Sequence, residues 1–127
     1  MNNKQVFANN LKRIMNINGK SRYDVCEALD FNYYTYSDWV NGKKFPRMDK
    51  VEKLANYFGV LISDLIEDKG EAHFEMLQEI NELNDIMSWI KSDAELLKLM
   101  KKLRKAPEEK KILIKSMLAA MTESIED

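Results

Sequence analysis

The sequence predicts an all-α fold in which a bundle of short helices is followed by a longer helical tail. Three observations predict it. Glycine and proline are scarce, at four and two residues, while 45% of the residues are apolar and 32% are charged, a balance typical of folded, helix-rich chains. Apolar positions recur every three or four residues along most of the chain. Residues that cap helices precede several of these runs.

Spacing and capping residues predict the first two helices. From Phe7 onward the apolar positions have helical spacing, and the first helix is expected to end near Gly19. Ser21 and Asp24 form a variant of the capping box, in which a hydroxyl and a carboxylate satisfy free backbone amides at the start of a helix. The second helix therefore runs from Ser21 to about Leu29.

A third helix follows after only about three residues. Asn32 is a good N-cap for it, and Asn41-Gly42 is expected to end it just after Val40 in a left-handed or turn conformation. Pro46 closes a basic loop over residues 43–47, and residues 60–66 supply a short fifth helix. Between them lies a fourth helix whose predicted buried face carries Met48, Val51, Leu54, Ala55 and Phe58.

Asp68-Lys69-Gly70 is the predicted boundary between two domains, residues 1–68 and residues 69–127. Beyond it the apolar residues step alternately by four and three, as in a coiled-coil seam. They are Met76, Ile80, Leu83, Met87, Ile90, Ala94 and Leu97. Ser92 is a candidate cap for a new helix, so the tail is either one long helix or a hairpin. Pro107 is expected to start a last helix that buries Ile112, Leu113, Met117, Ala120 and Met121.

Composition excludes several classes of protein. Cys26 and His73 are single residues of their types, so we expect neither a disulfide nor a metal site, and no cofactor. No nucleophile elbow or glycine-rich phosphate loop is present, which argues against an enzyme. No run of about 18 apolar residues occurs and the N-terminus is polar, so we expect a cytoplasmic protein without membrane association.

Net charge gives little guidance about partners, because it is only −1. Ten basic and nine acidic residues lie up to position 68, and ten basic and twelve acidic residues follow. A strongly basic domain would have indicated a nucleic-acid partner directly. Here the indication comes instead from geometry, since a helix, a short turn and a second helix followed by a basic loop is the arrangement that inserts one helix into a DNA major groove.

Three strings carry a resemblance to a known family: SRYDVC at 21–26, YSDWVNGKKFP at 36–46, and LANYFGV at 54–60 followed by Asp64-Leu65. Together they resemble the Xre/Cro, lambda-repressor-like helix-turn-helix regulators over about residues 5–68. The resemblance implies a five-helix bundle whose third helix reads DNA bases. Where family members often have a polar pair, this chain has Met15 and Val40, which we expect to pack together. Asp30 replaces a common glycine, and Arg47 the usual Ser or Thr cap of the fourth helix.

The same resemblance places the base-reading positions at Tyr33, Tyr34, Thr35 and Asp38. Tyrosine and threonine hydroxyls can bond base edges, and Asp38 can accept from a cytosine amine. A carboxylate near phosphates lowers the affinity for most sequences, so Asp38 would sharpen the sequence preference if a cytosine amine or a neighbouring lysine compensates it. Arg22 stands where family members commonly have a phosphate-binding glutamine. The further expected phosphate contacts are Ser21, Asn32, Asn41, Lys43, Lys44 and Arg47, with backbone amides at 41–43. The alternative is an exposed helix face with solvated charges.

The tail is expected to form a homodimer or higher homo-oligomer that presents two reading helices to a palindromic operator. The expected interface residues are Phe74, Ile80, Leu83, Met87, Trp89, Ile90 and Leu97. The second half loosely resembles helical tails of small phage and mobile-element regulators. A transcriptional repressor encoded by a bacterium or phage is the leading hypothesis. The alternatives are an intramolecular hairpin and an antitoxin-like or adaptor protein whose tail binds another protein.

Overall fold

The computed structural model describes residues 2–126, and within that range every regular element is an α-helix. The predicted all-α class is confirmed. The helices are α1 (Asn3–Ile17), α2 (Arg22–Leu29), α3 (Tyr33–Val40), α4 (Met48–Phe58), α5 (Ile62–Ile66), α6 (Glu71–Ser92), α7 (Ala94–Arg104) and α8 (Glu108–Thr122). The chain divides into two compact units, the first ending at Leu83 and the second beginning at Asn84.

The first unit is built around one apolar core that the five short helices share. Helix α1 packs against α3 and α5, α2 packs against α3, and α4 packs against α5. The fully buried side chains are Phe7, Leu11, Ile14, Val25, Tyr36, Val40, Val51, Leu54 and Leu65. Each of them contributes about 1.5–3 kcal/mol through removal of apolar surface from water. Met48, expected on the buried face of α4, is 53% exposed because it lies in the first turn of that helix, so that prediction is wrong.

Met15 and Val40, which are expected to pack together, both lie in this core, at 8% and 1% exposure. The hydroxyl of Tyr36 donates to Met15 Sδ at 3.2 Å, which gives the buried phenol a partner. Burial in this environment raises the pKa of Tyr36 far above its ordinary value, so the ring stays neutral. A hydrogen bond from Tyr36 to the sulfur atom of Met15, within the apolar core, therefore joins α1 to α3.

The first turns of α6 belong to the first unit. Phe74 is 8% exposed in the shared core, and the guanidinium of Arg13 lies 4.7 Å from the centre of its ring. Arg13 also forms an ion pair with Glu71, and Asn81 donates its side-chain amide to the carbonyl of Ile17 at 3.2 Å. The compact unit thus extends beyond the boundary expected after Asp68. Phe74, expected in a dimer interface, is instead a core residue of its own chain.

A polar network fixes the connection between α5 and α6. Asp64 is 3% exposed, and its Oδ1 atom lies 2.7 Å from Lys69 Nζ and 2.6 Å from His73 Nε2. Its Oδ2 atom accepts from the backbone amide of Leu61 at 2.8 Å. Burial favours the neutral acid, but the hydrogen bonds from Lys69, Leu61 and His73 outweigh it and lower the pKa of Asp64. Ser63 Oγ accepts from Lys69 Nζ at 2.6 Å.

The second unit contains the end of α6 together with α7 and α8. A new helix begins after Ser92 as expected, but Asp93 caps it by accepting from the amide of Leu96 at 3.0 Å, while Ser92 Oγ donates to the carbonyl of Trp89. Pro107 precedes α8 as predicted. The expected buried face of α8 is wrong, since all five side chains predicted to be buried there are exposed. Among the described residues no helix is both long enough and apolar enough to span a membrane.

Candidate nucleic-acid interface

Capping groups fix the short turn between α2 and α3. Ser21 Oγ accepts from the amide of Asp24 at 3.1 Å, and the Asp24 carboxylate accepts from the amide of Ser21 at 2.8 Å, so the predicted capping box is confirmed. This hydrogen bonding lowers the pKa of Asp24. Asp30 ends α2 in the left-handed region with φ 56°, which aspartate tolerates better than most residues. Asn32 Oδ1 accepts from the amides of Tyr34 and Thr35.

Helix α3 places its side chains on two faces. Tyr36, Trp39 and Val40 point into the core. Tyr34 is 80% exposed and Thr35 is also exposed, while Tyr33 and Asp38 are half-buried at the edge of the helix. Tyr34, Thr35 and Asp38 therefore lie on the side of α3 away from the core, whereas Tyr33 lies at the edge of that side and packs against the core. Their hydroxyl, ring-edge and carboxylate groups can bond or pack against base edges in a major groove.

Tyr23 extends this surface, and the sequence pattern gave no indication of it. Its ring is 70% exposed and stacks on Tyr33, with centroids 4.5 Å apart and planes 18° apart. Tyr33 in turn meets Tyr34 edge to face at 6.0 Å. A hydrogen bond with the Tyr33 side chain raises the pKa of Tyr23. The three rings thus join the start of α2 to the start of α3.

A lysine of the same chain compensates the negative charge of Asp38. Lys44 Nζ lies 3.7 Å from Asp38 Oδ2, and the backbone carbonyl of Asp38 accepts from the amides of Lys43 and Lys44. The lysine neighbour anticipated for this carboxylate is therefore present. An exposed pair of this kind contributes little stability, on the order of 0–1 kcal/mol. Lys44 can therefore exchange its ion pair with Asp38 for one with a phosphate at a small cost in free energy.

Arg22 is held toward the end of α3. Its Nη2 atom donates to Asn41 Oδ1 at 3.0 Å, which connects the first residue of α2 to the residue after α3. The remaining guanidinium N–H groups stay available for a phosphate, because arginine has five donors. Arg22 and Asn41, both expected phosphate contacts, are thus brought together at one edge of the surface.

The backbone amides expected to bind phosphate are occupied. The amide of Asn41 donates to Ser37 O, that of Gly42 to Trp39 O and that of Lys43 to Asp38 O. These bonds close the end of α3, where Gly42 adopts a φ of 74° that favours glycine. The prediction for these three amides is therefore wrong, because the helix end itself needs them.

Side chains remain as the donors around α3. Lys43 and Arg47 are exposed, and neither forms an ion pair with any residue between positions 2 and 126. Ser21 keeps a hydroxyl proton and Asn32 keeps its NH₂ group for donation, because both use only oxygen lone pairs in capping. Arg47 precedes α4 without a side-chain cap bond, as its replacement of Ser or Thr implies. No cluster suited to a metal ion occurs in the described part of the chain.

The family model for the Cro/C1-type helix-turn-helix DNA-binding domain matches residues 10–71 of this chain. Those residues contain α2, α3 and the loop with the cations described above. Searches of curated proteins and of solved structures return no match. The N-terminal domain therefore belongs to the Cro/C1-type helix-turn-helix DNA-binding domains, as its Xre/Cro-like sequence features predict.

Proposed function

We propose that the protein is a sequence-specific transcriptional regulator, of the repressor type found in phages and mobile elements, that inserts α3 into the major groove of an operator. One observation carries the proposal. In a domain of a DNA-binding family, the exposed side of α3 presents Tyr34 and Thr35, and the loop that follows this helix carries the exposed cations of Lys43 and Arg47, which form no ion pair within residues 2–126. Cations that contact phosphates orient such a helix, and polar groups on it select the sequence.

In this proposal each side chain has a definite role. The base-reading residues are Tyr33, Tyr34, Thr35 and Asp38. The phosphate-binding side chains are Ser21, Arg22, Asn32, Asn41, Lys43, Lys44 and Arg47. Asp38 favours a cytosine amine, because its carboxylate only accepts hydrogen bonds. Lys44 releases Asp38 when that cytosine is present and then contacts the backbone.

We further propose that the protein binds a palindromic operator as a homodimer, with half-sites about 34 Å apart. Residues 1–68 carry a net charge of only about +1, so one domain makes few phosphate contacts, and linkage of two raises the effective concentration of the second. Apolar side chains available for the dimer interface are those of Ile80, Leu83, Met87 and Trp89, all 45–61% exposed. Ile90 and Leu97 are half-buried members of the same proposed interface. Phe74 is omitted because it is buried.

A second candidate is an antitoxin-like or adaptor role in which the second unit binds another protein. The observation that favours it is the apolar surface of α8. Ile112, Leu113, Met117 and Met121 are 55–72% exposed on this helix. Exposed apolar patches of this kind mark interaction sites. As a DNA-binding regulator, the protein is proposed to act in the bacterial cytoplasm, where the genome lies.

The test is a mobility-shift titration of the full chain on a palindromic fragment from its own promoter region, at moderate salt. We expect the purified chain alone to shift this fragment at concentrations that leave a scrambled fragment free. A shift that requires a second protein would favour the adaptor role instead. Absence of any shift, with and without cell extract, would contradict the regulator proposal.

A further inference from the structure

Helix α7 carries a concentrated positive charge that the DNA-reading surface does not use. Residues 96–107 contain five lysines and arginines and no acidic residue. The four lysines among them are separated by three, four and seven residues and therefore share one face of the helix. We call them the α7 basic face: Lys98, Lys101, Lys102 and Lys105. All four are exposed.

None of the four lysines of the α7 basic face forms an ion pair in the described part of the chain. The ion pair that the structure places in the second unit joins Lys111 to Glu108, on α8. Like charges three and four positions apart destabilise a helix by about 0.2–0.5 kcal/mol for each pair. The helix dipole offsets part of this cost in the last turn, but it does not select one face of the helix. An external polyanion would offset the remaining cost.

The opposite side of α7 carries apolar side chains. Leu96, Met100 and Leu103 lie on that side and are half-buried. The lysines and these apolar side chains thus occupy different faces of the helix, and the basic face is open to solvent. Ala94 and Leu97 line a shallow groove together with the four lysines. A strand of sugar and phosphate suits such a groove, since sugars pack on apolar groups while phosphates meet ammonium groups.

We propose that the α7 basic face is a second contact surface for duplex DNA, which binds the phosphate backbone without reading sequence. The four lysines span about 10 Å along the helix, at 1.5 Å per residue, a length that reaches two or three phosphates of one strand. The inference rests on the proposed function, because a duplex held by α3 supplies the phosphates at high local concentration. It explains how a chain of net charge −1 binds DNA with useful affinity.

The experiment measures the affinity of the full chain for a labelled 40-base-pair duplex of random sequence, by fluorescence anisotropy, at several salt concentrations. The test variant replaces the α7 basic face: Lys98→Gln, Lys101→Gln, Lys102→Gln and Lys105→Gln. The control variant removes the same charge elsewhere in the second unit: Lys91→Gln, Lys110→Gln, Lys111→Gln and Lys115→Gln. Circular dichroism and light scattering check helix content and oligomeric mass for both.

We expect the test variant to bind more weakly, on the order of tenfold at 0.05 M salt for each phosphate that the lysines no longer neutralise. The slope of log K against log salt concentration should become shallower by about 0.9 for each such phosphate. The control variant should retain the wild-type slope. Equal slopes in wild type and test variant would overturn the inference. A loss of affinity that occurs only together with a fall in oligomeric mass would also overturn the inference, because it would show that the α7 basic face contacts another chain. If the wild-type chain binds no duplex at all, the proposed function fails instead.

Discussion

The recognition surface depends, at the scale of single residues, on how the ring of Tyr33 is held. Tyr33 lies between the exposed rings of Tyr23 and Tyr34, so it cannot turn without leaving both of them. Aromatic pairs of this geometry contribute about 0.5–1.5 kcal/mol beyond the area they bury. If Tyr33 reads bases as proposed, Tyr23 is a positioning residue for that recognition, although it lies on α2.

A double-mutant cycle on the two tyrosines tests this role. We expect Tyr23→Ala to weaken specific DNA binding about threefold to tenfold, and to add little when Tyr33→Ala is already present, because either substitution alone removes the stack. Tyr23→Phe keeps the ring and should weaken binding less. The measurement is the DNA affinity of five proteins: the wild type, the two single alanine variants, their double variant and Tyr23→Phe. Additive effects of Tyr23→Ala and Tyr33→Ala would show that the rings act independently.

Sequence alone predicts much of this surface and omits a definite part. Caps were predictable because Ser21, Asp24 and Asn32 act on amides two or three residues away. Tyr23 was not, because its stack joins residues ten positions apart on two helices. The occupied amides after α3 were also not predictable, since turn residues at Asn41-Gly42 indicate that the helix ends but not which donors the ending uses.

At the scale of elements, the short α5 and the long α6 are joined through one buried carboxylate. The carboxylate of Asp64 accepts a hydrogen bond from the amide of Leu61, at the start of α5, and forms another with the His73 side chain on α6. The sequence places Phe74 on or beside the apolar seam of the tail and predicts it in a dimer interface. Periodicity does not indicate whether α1 or a second chain covers such a side chain, because both arrangements need the same spacing.

Replacement of Asp64 should destabilise the first unit and alter its pH dependence. The pKa of Asp64 is lowered in the folded state, so its stabilising contribution is present above the ordinary pKa of 3.8 and is lost as the pH falls through the lowered value. We expect Asp64→Asn to reduce the free energy of unfolding at pH 7 by about 3 kcal/mol. The difference should become smaller as the pH approaches 3.

Urea unfolding between pH 7 and pH 3 measures this effect. The chain has two tryptophans, and in a Trp89→Phe background the fluorescence reports on Trp39 in the core of the first unit. Asp68→Asn is the matched control, because Asp68 is exposed and should leave the unfolding curve nearly unchanged. An Asp64→Asn protein as stable as the control at pH 7 would contradict the role of the network.

At the scale of the whole molecule, the first compact unit ends inside α6 at Leu83. A chain cut after Asp68 loses Phe74 from the core and the bond from Asn81 to Ile17, whereas a chain cut after Leu83 keeps both. We expect the free energy of unfolding of the shorter fragment to be about 3–5 kcal/mol lower than that of the longer one, a loss comparable to that caused by replacing a buried phenylalanine with alanine. Denaturant unfolding of the two fragments measures the difference, and equal midpoints would contradict it.

The proposed dimer gives a second expectation at this scale. Leu83→Asp places a charge among exposed apolar side chains of α6 and should shift the full chain from dimer toward monomer in light scattering. Gln78→Asp adds the same charge five residues earlier, about 140° around the axis of the same helix, and should leave the mass unchanged. A monomeric wild-type chain, or a Leu83→Asp chain that stays dimeric, would contradict this interface.

The central claim is that α3 reads DNA sequence, and the most direct measurement is a selection of bound DNA from a random pool by the wild-type chain and by single variants. Tyr34→Ala and Asp38→Ala should change the preferred sequence, at about 1–3 kcal/mol for each altered base. Arg22→Ala should weaken binding to all sequences without changing their order. An unchanged preference in both the Tyr34→Ala and the Asp38→Ala protein would contradict the claim.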